Sequence, residues 1–507
     1  MRLSSELLAR LDLPQAVAHA APARGEFFPS RLESEAASAD SATYAAWLAS
    51  QLAVGSAAAQ PETIWVPRHG HGSRPVPDLP FAERVTLDAL TACLASQLEP
   101  DSERLGLRLG DPDEGDRQRV EWAPIEAGAE YVAITDVAAF YEYVDHSRLT
   151  QDIVELTGDV ELASAIQDQL SEVMGREFGL PQGPRSSDIL ADLYLSAVDR
   201  ALTRAGIQMW RFNDDFVLAA SSERHAQLLI QRLDHALRPR GLALNNAKNR
   251  VTGGSTYRGW VETLKTRLSE AAIAEATVGG YSFFDPEAFS DIELGDLPVD
   301  AVEQMLTATL DSDEPDPYNV NDRLLPQALQ ILAKARSTVP LERLDDLVSD
   351  WPSHARVIAL YLRSLIGVPE ESTMIAAVVA VLHDGEDLVP WVRGWLLDPL
   401  ARCDGRLGSR PVSGLILDWL LREHEPWFVR GRCALVQAQR HRILEQEAFS
   451  DLFERAPAPA QADLAAAVVL AQPDWAEAWV RTLRGSPPLL RRIPDLIDRT
   501  DIRAEVL

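Results

Sequence analysis

The 507-residue sequence has only three cysteines, Cys93, Cys403 and Cys433, and only three lysines, Lys248, Lys265 and Lys334. An odd, scattered set of cysteines excludes a disulfide framework and offers no metal-ligand spacing, so the expectation is reduced core thiols in a cytoplasmic protein. The longest uninterrupted apolar run, Met374 to Leu382, is far too short to span a bilayer. Charges also run through the N-terminal stretch where a secretory leader needs an apolar core, so no membrane partner is expected. Positive charge is scarce: 48 Lys and Arg face 77 Asp and Glu, a formal net charge of -29. That balance opposes a broad grip on nucleic acid, which proteins hold largely by neutralising phosphates.

The deficit is not uniform. From Arg200 to Arg267 twelve basic residues stand against five acidic ones, while from residue 281 onward 22 basic residues stand against 37 acidic ones. The length and the 46% apolar content are enough for two or more packed cores. Residues 1–62 are rich in Ala, Ser and Glu with helical spacing in "SATYAAWLASQLAV", an N-terminal helical extension. Beyond Thr63, short strands such as "YVAITDV" alternate with amphipathic helices, the pattern of an α+β or α/β domain. The acidic, proline-bearing "DSDEPDPYN" (311–319) reads as a boundary. Past it, tryptophan–arginine stations recur at Trp351, Pro390, Pro426 and Pro473, roughly the 40-residue period of a two-helix repeat.

The stretch that carries most information is "QMWRFNDDFVLAA", Gln208 to Ala220, in which Asp214 and Asp215 adjoin between two apolar runs. The flanks are strand-like and Asn213-Asp214-Asp215 forms turns readily, so a tight hairpin with carboxylates at its tip is predicted. Adjacent carboxylates repel unless a cation shares them, and Mg²⁺ prefers such hard oxygen ligands. A third carboxylate is available from Asp136, which ends the strand-like run Tyr131 to Thr135 and lies 78 residues before Asp214.

These segments, in order, resemble the motifs of reverse transcriptases. "TDVAAFYEYVDH" resembles motif A, "GLPQGPRSSDILADLYL" motif B, "RFNDDF" motif C, "GLALNNAKNRV" motif D and "TYRGW" motif E. The resemblance implies a right-hand polymerase with α+β fingers and palm over 63–285, a thumb-like connection and acidic linker over 286–318, and an all-α, HEAT-like repeat domain over 319–507. It implies two Mg²⁺ ions, replaceable by Mn²⁺, on Asp136, Asp214, Asp215 and the Val137 backbone carbonyl. Lys248 takes the place of the proton donor to pyrophosphate. Tyr141, with Phe140 beside it, falls where an aromatic side chain excludes a 2′-hydroxyl, and Gln182 and Gly183 fall beside the nucleotide. Arg74, with Arg68 and Arg84 behind it, is the candidate for the triphosphate. Gly179, Pro181, Arg258 and Gly259 fall along template and primer, and Ser186, Ser187 and Asp188 are read as helix caps. His69 and His71 share a Gly-rich loop that is read as loop rather than metal site.

A palm followed by a helical array resembles the abortive-infection and other defence-associated bacterial reverse transcriptases. That resemblance implies antiphage DNA synthesis from deoxynucleoside triphosphates, templated by RNA, a non-coding RNA among them, or template-independent and protein-primed. The acidic helical domain would then serve a homo-oligomer or a protein partner. Two alternatives stay open: a retron or mobile-element enzyme copying its own RNA, and a palm-fold scaffold without catalysis.

Overall fold

Six strands are described: β1 (Glu62–Pro67), β2 (Ser73–Asp78), β3 (Tyr131–Asp136), β4 (Met209–Phe212), β5 (Asp215–Ala220) and β6 (Arg250–Gly253). They belong to a computed structural model that describes all residues except 21–26, 30, 32–33, 35–36, 38–39, 56–60, 69–71, 100–113, 263–298, 312–319, 385–387, 404–409, 440–442 and 484–507. Two compact units divide the chain, and neither is continuous in sequence. One comprises residues 1–16, 49–58 and 83–285; the other comprises 17–48, 59–82 and 286–507.

In the first unit β3 lies second from one edge of a four-stranded antiparallel sheet of order β4-β5-β3-β6. Its register against β5 sets Ile134 opposite Val217 and Asp136 opposite Asp215. Side chains alternate along a strand, so Val132, Ile134 and Asp136 share one face with Val217 and Asp215. The apolar end of that face is closed by Val120, Trp122 and Ile125 of the helix Glu114–Glu126 and by Tyr257 and Val261. The helix Glu223–Leu237 packs on β3, β5 and β6 with Ala226, Leu229, Leu233 and Leu237 buried, an i, i+3, i+7, i+11 stripe. Ser222 caps its start by accepting from the His225 amide.

The second unit joins the β1–β2 hairpin to a helical array. Val320–Ala335, Ala355–Arg363, Pro390–Arg402, Trp427–Ala438 and Ala458–Ala471 pack each against the next, with Glu371–Asp384 and Arg410–Leu421 as intervening helices. The tryptophan stations serve this packing: Trp391 and Trp395 are buried and both donate to the Phe27 carbonyl, and Trp479 is buried against Phe449. Glu62 of β1 accepts from the amides of Trp427 and Phe428 at 3.0 and 3.2 Å, capping that helix. Burial of Asp398 would raise its carboxyl, but Arg363, Arg402 and Arg432 surround it and hold it well below the usual carboxylate range. No described helix is long and apolar enough to cross a membrane.

Candidate active site

Each carboxylate is placed by a separate local device. Asp136 ends β3 and is 7% exposed. Asp214 sits in the two-residue turn between β4 and β5, made possible because Asn213 takes φ +51, which asparagine tolerates better than most residues. Asp215 is the first residue of β5, directly across from Asp136. The Val137 amide donates to the Asp214 carbonyl at 3.2 Å, fastening the turn to the end of β3. The turn is held from beneath by Arg211, which donates to the Asn213 carbonyl at 2.7 Å and to Asp192 and Asp199 of the helix Arg185–Arg204. Arg211 opens the motif C stretch but is given no role by it; the signal it carries in the sequence is an arginine in an otherwise apolar strand that follows two helical aspartates.

Lys248 reaches the site because its loop is laid along β3. Ala138 donates to the Ala243 carbonyl at 2.8 Å, Asn245 donates to the Asp136 carbonyl at 2.8 Å, and Thr135 donates its hydroxyl to Asn249. The result is Lys248 Nζ 3.1 Å from Asp136 Oδ2, with Asn245 Nδ2 3.2 Å from the same oxygen. On the other side Arg117, from the helix Glu114–Glu126, stands 3.7 Å from Asp215 Oδ2 and lies over the Phe212 ring. Neither Asn245 nor Arg117 was singled out from the sequence.

The electrostatics follow from this crowding. Burial, then the charges of Asp215 and Asp136, push the Asp214 carboxyl up to about 7. Burial also raises Asp215, to about 6, with Arg117 pulling the other way and Asp136 adding to the rise. Among the described residues no three His, Cys, Asp or Glu side chains form a finished ion site as they stand. The donor set is nevertheless what a hard divalent cation requires: three carboxylates whose charges Lys248 and Arg117 only partly offset. The Val137–Leu244 bridge is of the kind in which neither residue bonds the other, and the Val137 amide is turned instead to the Asp214 carbonyl.

Around this centre Tyr141 and Phe140 occupy a short 3₁₀ turn after Ala139, with Phe140 buried and Tyr141 partly open. The Tyr141 hydroxyl donates to Asp188 Oδ1 at 2.6 Å. Asp188 therefore does not cap its helix as expected; the capping position is Pro184, which has no side-chain bond to give. Ser186 and Ser187 are buried inside the first turn. Gln182 is 8% exposed, and Gly183 takes φ +110. Gly179 takes φ +93 with Glu142 and Met174 so close that a Cβ would meet them within 3.3 Å. Arg258 and Gly259 lie exposed on a helical stretch, 254–262, whose Tyr257 donates to the Glu121 carbonyl. Arg74 belongs to β2 in the other unit, its guanidinium 5.6 Å over Phe27. His69, His71 and most of 286–318 lie outside the described residues.

The family model for reverse transcriptase (RNA-dependent DNA polymerase) matches residues 71–264, a span that includes all three aspartates, Tyr141, Gln182 and Lys248. The chain carries a reverse transcriptase domain. At the family level such domains synthesise DNA on RNA and use divalent metals such as Mg²⁺. No curated protein sequence matches the chain. Among solved structures, telomerase of Candida albicans with a fragment of telomeric RNA is similar at 11% identity and TM-score 0.35, over 68% of this chain and 62% of that one. Apo telomerase of Candida tropicalis is similar at 11% identity and TM-score 0.31, over 66% of this chain and 69% of that one. The match thus spans less than two thirds of the Candida albicans chain.

Proposed function

We propose that the reverse transcriptase domain is an active DNA polymerase adding deoxynucleotides by two-metal-ion nucleotidyl transfer. The observation that carries this reading is the convergence of Asp136, Asp214 and Asp215 with Lys248 at the end of β3. Asp136, Asp214, the adjoining Asp215 and the Val137 carbonyl would hold the ions. When bound, Mg²⁺ activates the attacking hydroxyl and neutralises the departing pyrophosphate. Lys248, 3.1 Å from Asp136, would deliver a proton to that leaving group. Tyr141 would lie beneath the incoming sugar and reject a 2′-hydroxyl. Gln182 and Gly183 would border the nucleotide, and Gly179 and Pro181 the template. Arg258 and Gly259 at the primer, and Arg74 at the triphosphate, rest on the family resemblance alone.

The broader reading is an antiphage role, with an RNA template or untemplated, protein-primed synthesis, and with the helical array as a degenerate HEAT-like repeat that binds a partner or a second copy. The stacked helices and acidic charge of the second unit support the partner-binding part of this reading; the antiphage role and the mode of templating rest on the resemblance to defence-associated reverse transcriptases. The test is incorporation of labelled deoxynucleotides by the purified chain in Mg²⁺, with and without RNA from its native host, beside Asp214→Asn. Synthesis that vanishes in the variant supports the polymerase; equal incorporation by the variant refutes it.

A further inference from the structure

Two large aromatic side chains stand in the open next to the site. Tyr143 is 54% exposed and Phe178 is 40% exposed, and their rings are stacked nearly parallel, 9° apart with centroids 6.3 Å apart. The guanidinium of Arg176, also exposed, lies over Phe178 at 4.6 Å. Exposed aromatics of this size in a contiguous group are unusual on a surface that has no use for them.

The group is rigidly mounted. Gly179 donates to the Val144 carbonyl at 2.7 Å, His146 to the Glu177 carbonyl at 3.2 Å and Leu180 to the Tyr141 carbonyl at 2.7 Å. Buried His146 adds a bond between Nε2 and the Gly179 carbonyl at 2.6 Å. These bonds tie the segment before Gln182 to the segment after Asp136, so the aromatic pair is fixed relative to both.

We propose that Tyr143, Phe178 and Arg176 form a stacking platform for unpaired bases of a nucleic-acid strand passing the polymerase site. The proposal rests on the polymerase reading for its biological setting, but its chemistry stands on these three side chains. Flat aromatic and guanidinium groups offer base faces a surface that does not depend on sequence. Stacking adds to whatever phosphate contacts the chain makes elsewhere: with a net charge of -29 overall and Glu177 beside the platform, base faces are what this surface is suited to hold.

The experiment measures binding of the full chain to fluorescent single strands of RNA and of DNA of one sequence, to an abasic strand of equal length and to a blunt duplex. Tyr143→Ala with Phe178→Ala is expected to weaken base-bearing strands by about 10- to 100-fold and to leave the abasic strand and the duplex unchanged. Tyr143→Phe with Phe178→Trp keeps both faces and should bind like the parent. Salt dependence should be shallow, a slope of about 1 to 2 in log Kd against log salt. Equal loss on the abasic strand, or no loss on base-bearing strands, overturns the proposal, as does a variant that changes only self-association in sedimentation. Stronger dependence with RNA than DNA identifies a template strand, and the reverse a product strand; either supports the platform. Failure of the polymerase reading shows separately, as incorporation that persists in Asp214→Asn.

Discussion

The phenol of Tyr141 donates a 2.6 Å hydrogen bond to the carboxylate of Asp188, linking the turn after β3 to the first turn of the helix Arg185–Arg204. An aromatic ring that is to exclude a sugar hydroxyl must be held in one orientation, and a charge-assisted bond does this. Asp188→Ala is therefore expected to relax selection for deoxynucleotides over ribonucleotides by roughly tenfold, about the strength of one hydrogen bond to a charged group. Tyr141→Phe should act similarly and Tyr141→Ala more strongly. The ratio of kcat/KM for the two sugar types checks this, and an unchanged ratio in Asp188→Ala would separate Asp188 from nucleotide choice.

Asp214 is expected to trade stability for activity. Its carboxyl is raised to about 7, so the folded state favours the protonated form and stability falls as pH rises from about 4 to 7. Asp214→Asn should unfold later than the parent above pH 7 in EDTA, by on the order of 1–2 kcal/mol after allowance for its partial exposure. It should also lose synthesis by about a thousandfold or more. Mg²⁺ should raise the melting temperature of the parent and not of the variant. Thermal melts across pH with and without Mg²⁺ read all three.

Arg211 bears two aspartates and the turn at once. Arg211→Met removes the guanidinium that Asp192 and Asp199 share, which should cost about 3–5 kcal/mol in denaturant unfolding. Adding Asp192→Asn and Asp199→Asn should restore most of that stability. Activity should stay low, because the Asn213 carbonyl still lacks its donor.

His146 sets an acid limit. Burial holds its imidazole below the ordinary value, so the unfolded chain takes up the proton more readily and stability present above about pH 6.5 is lost as pH falls below it. His146→Gln, which keeps a donor toward Gly179, should flatten the fall in stability between about pH 7 and pH 5. A parallel pH profile in the variant would assign the acid sensitivity elsewhere.

The local elements were legible in the sequence wherever one short-range rule governed them. The hairpin around Asn213 and Asp214 followed from turn chemistry, β3 from its run of branched residues, and the long helices from their apolar period. The expected cap at Asp188 does not form because capping is a local habit, whereas its partner Tyr141 lies 47 residues away.

Sequence by itself determined which residues can hold charge, turn or stack: the adjacent aspartates, the scarce Lys248, the tryptophan stations. Only the tertiary structure decided which of them meet. Register between β3 and β5 puts Asp136 across from Asp215, Arg117 and Asn245 arrive from distant segments, and the β1–β2 hairpin with Arg74 joins the helical unit rather than the unit that follows it in sequence. The physical reason is that such contacts are fixed by long-range packing and ladder pairing, which carry no periodic signal along the chain.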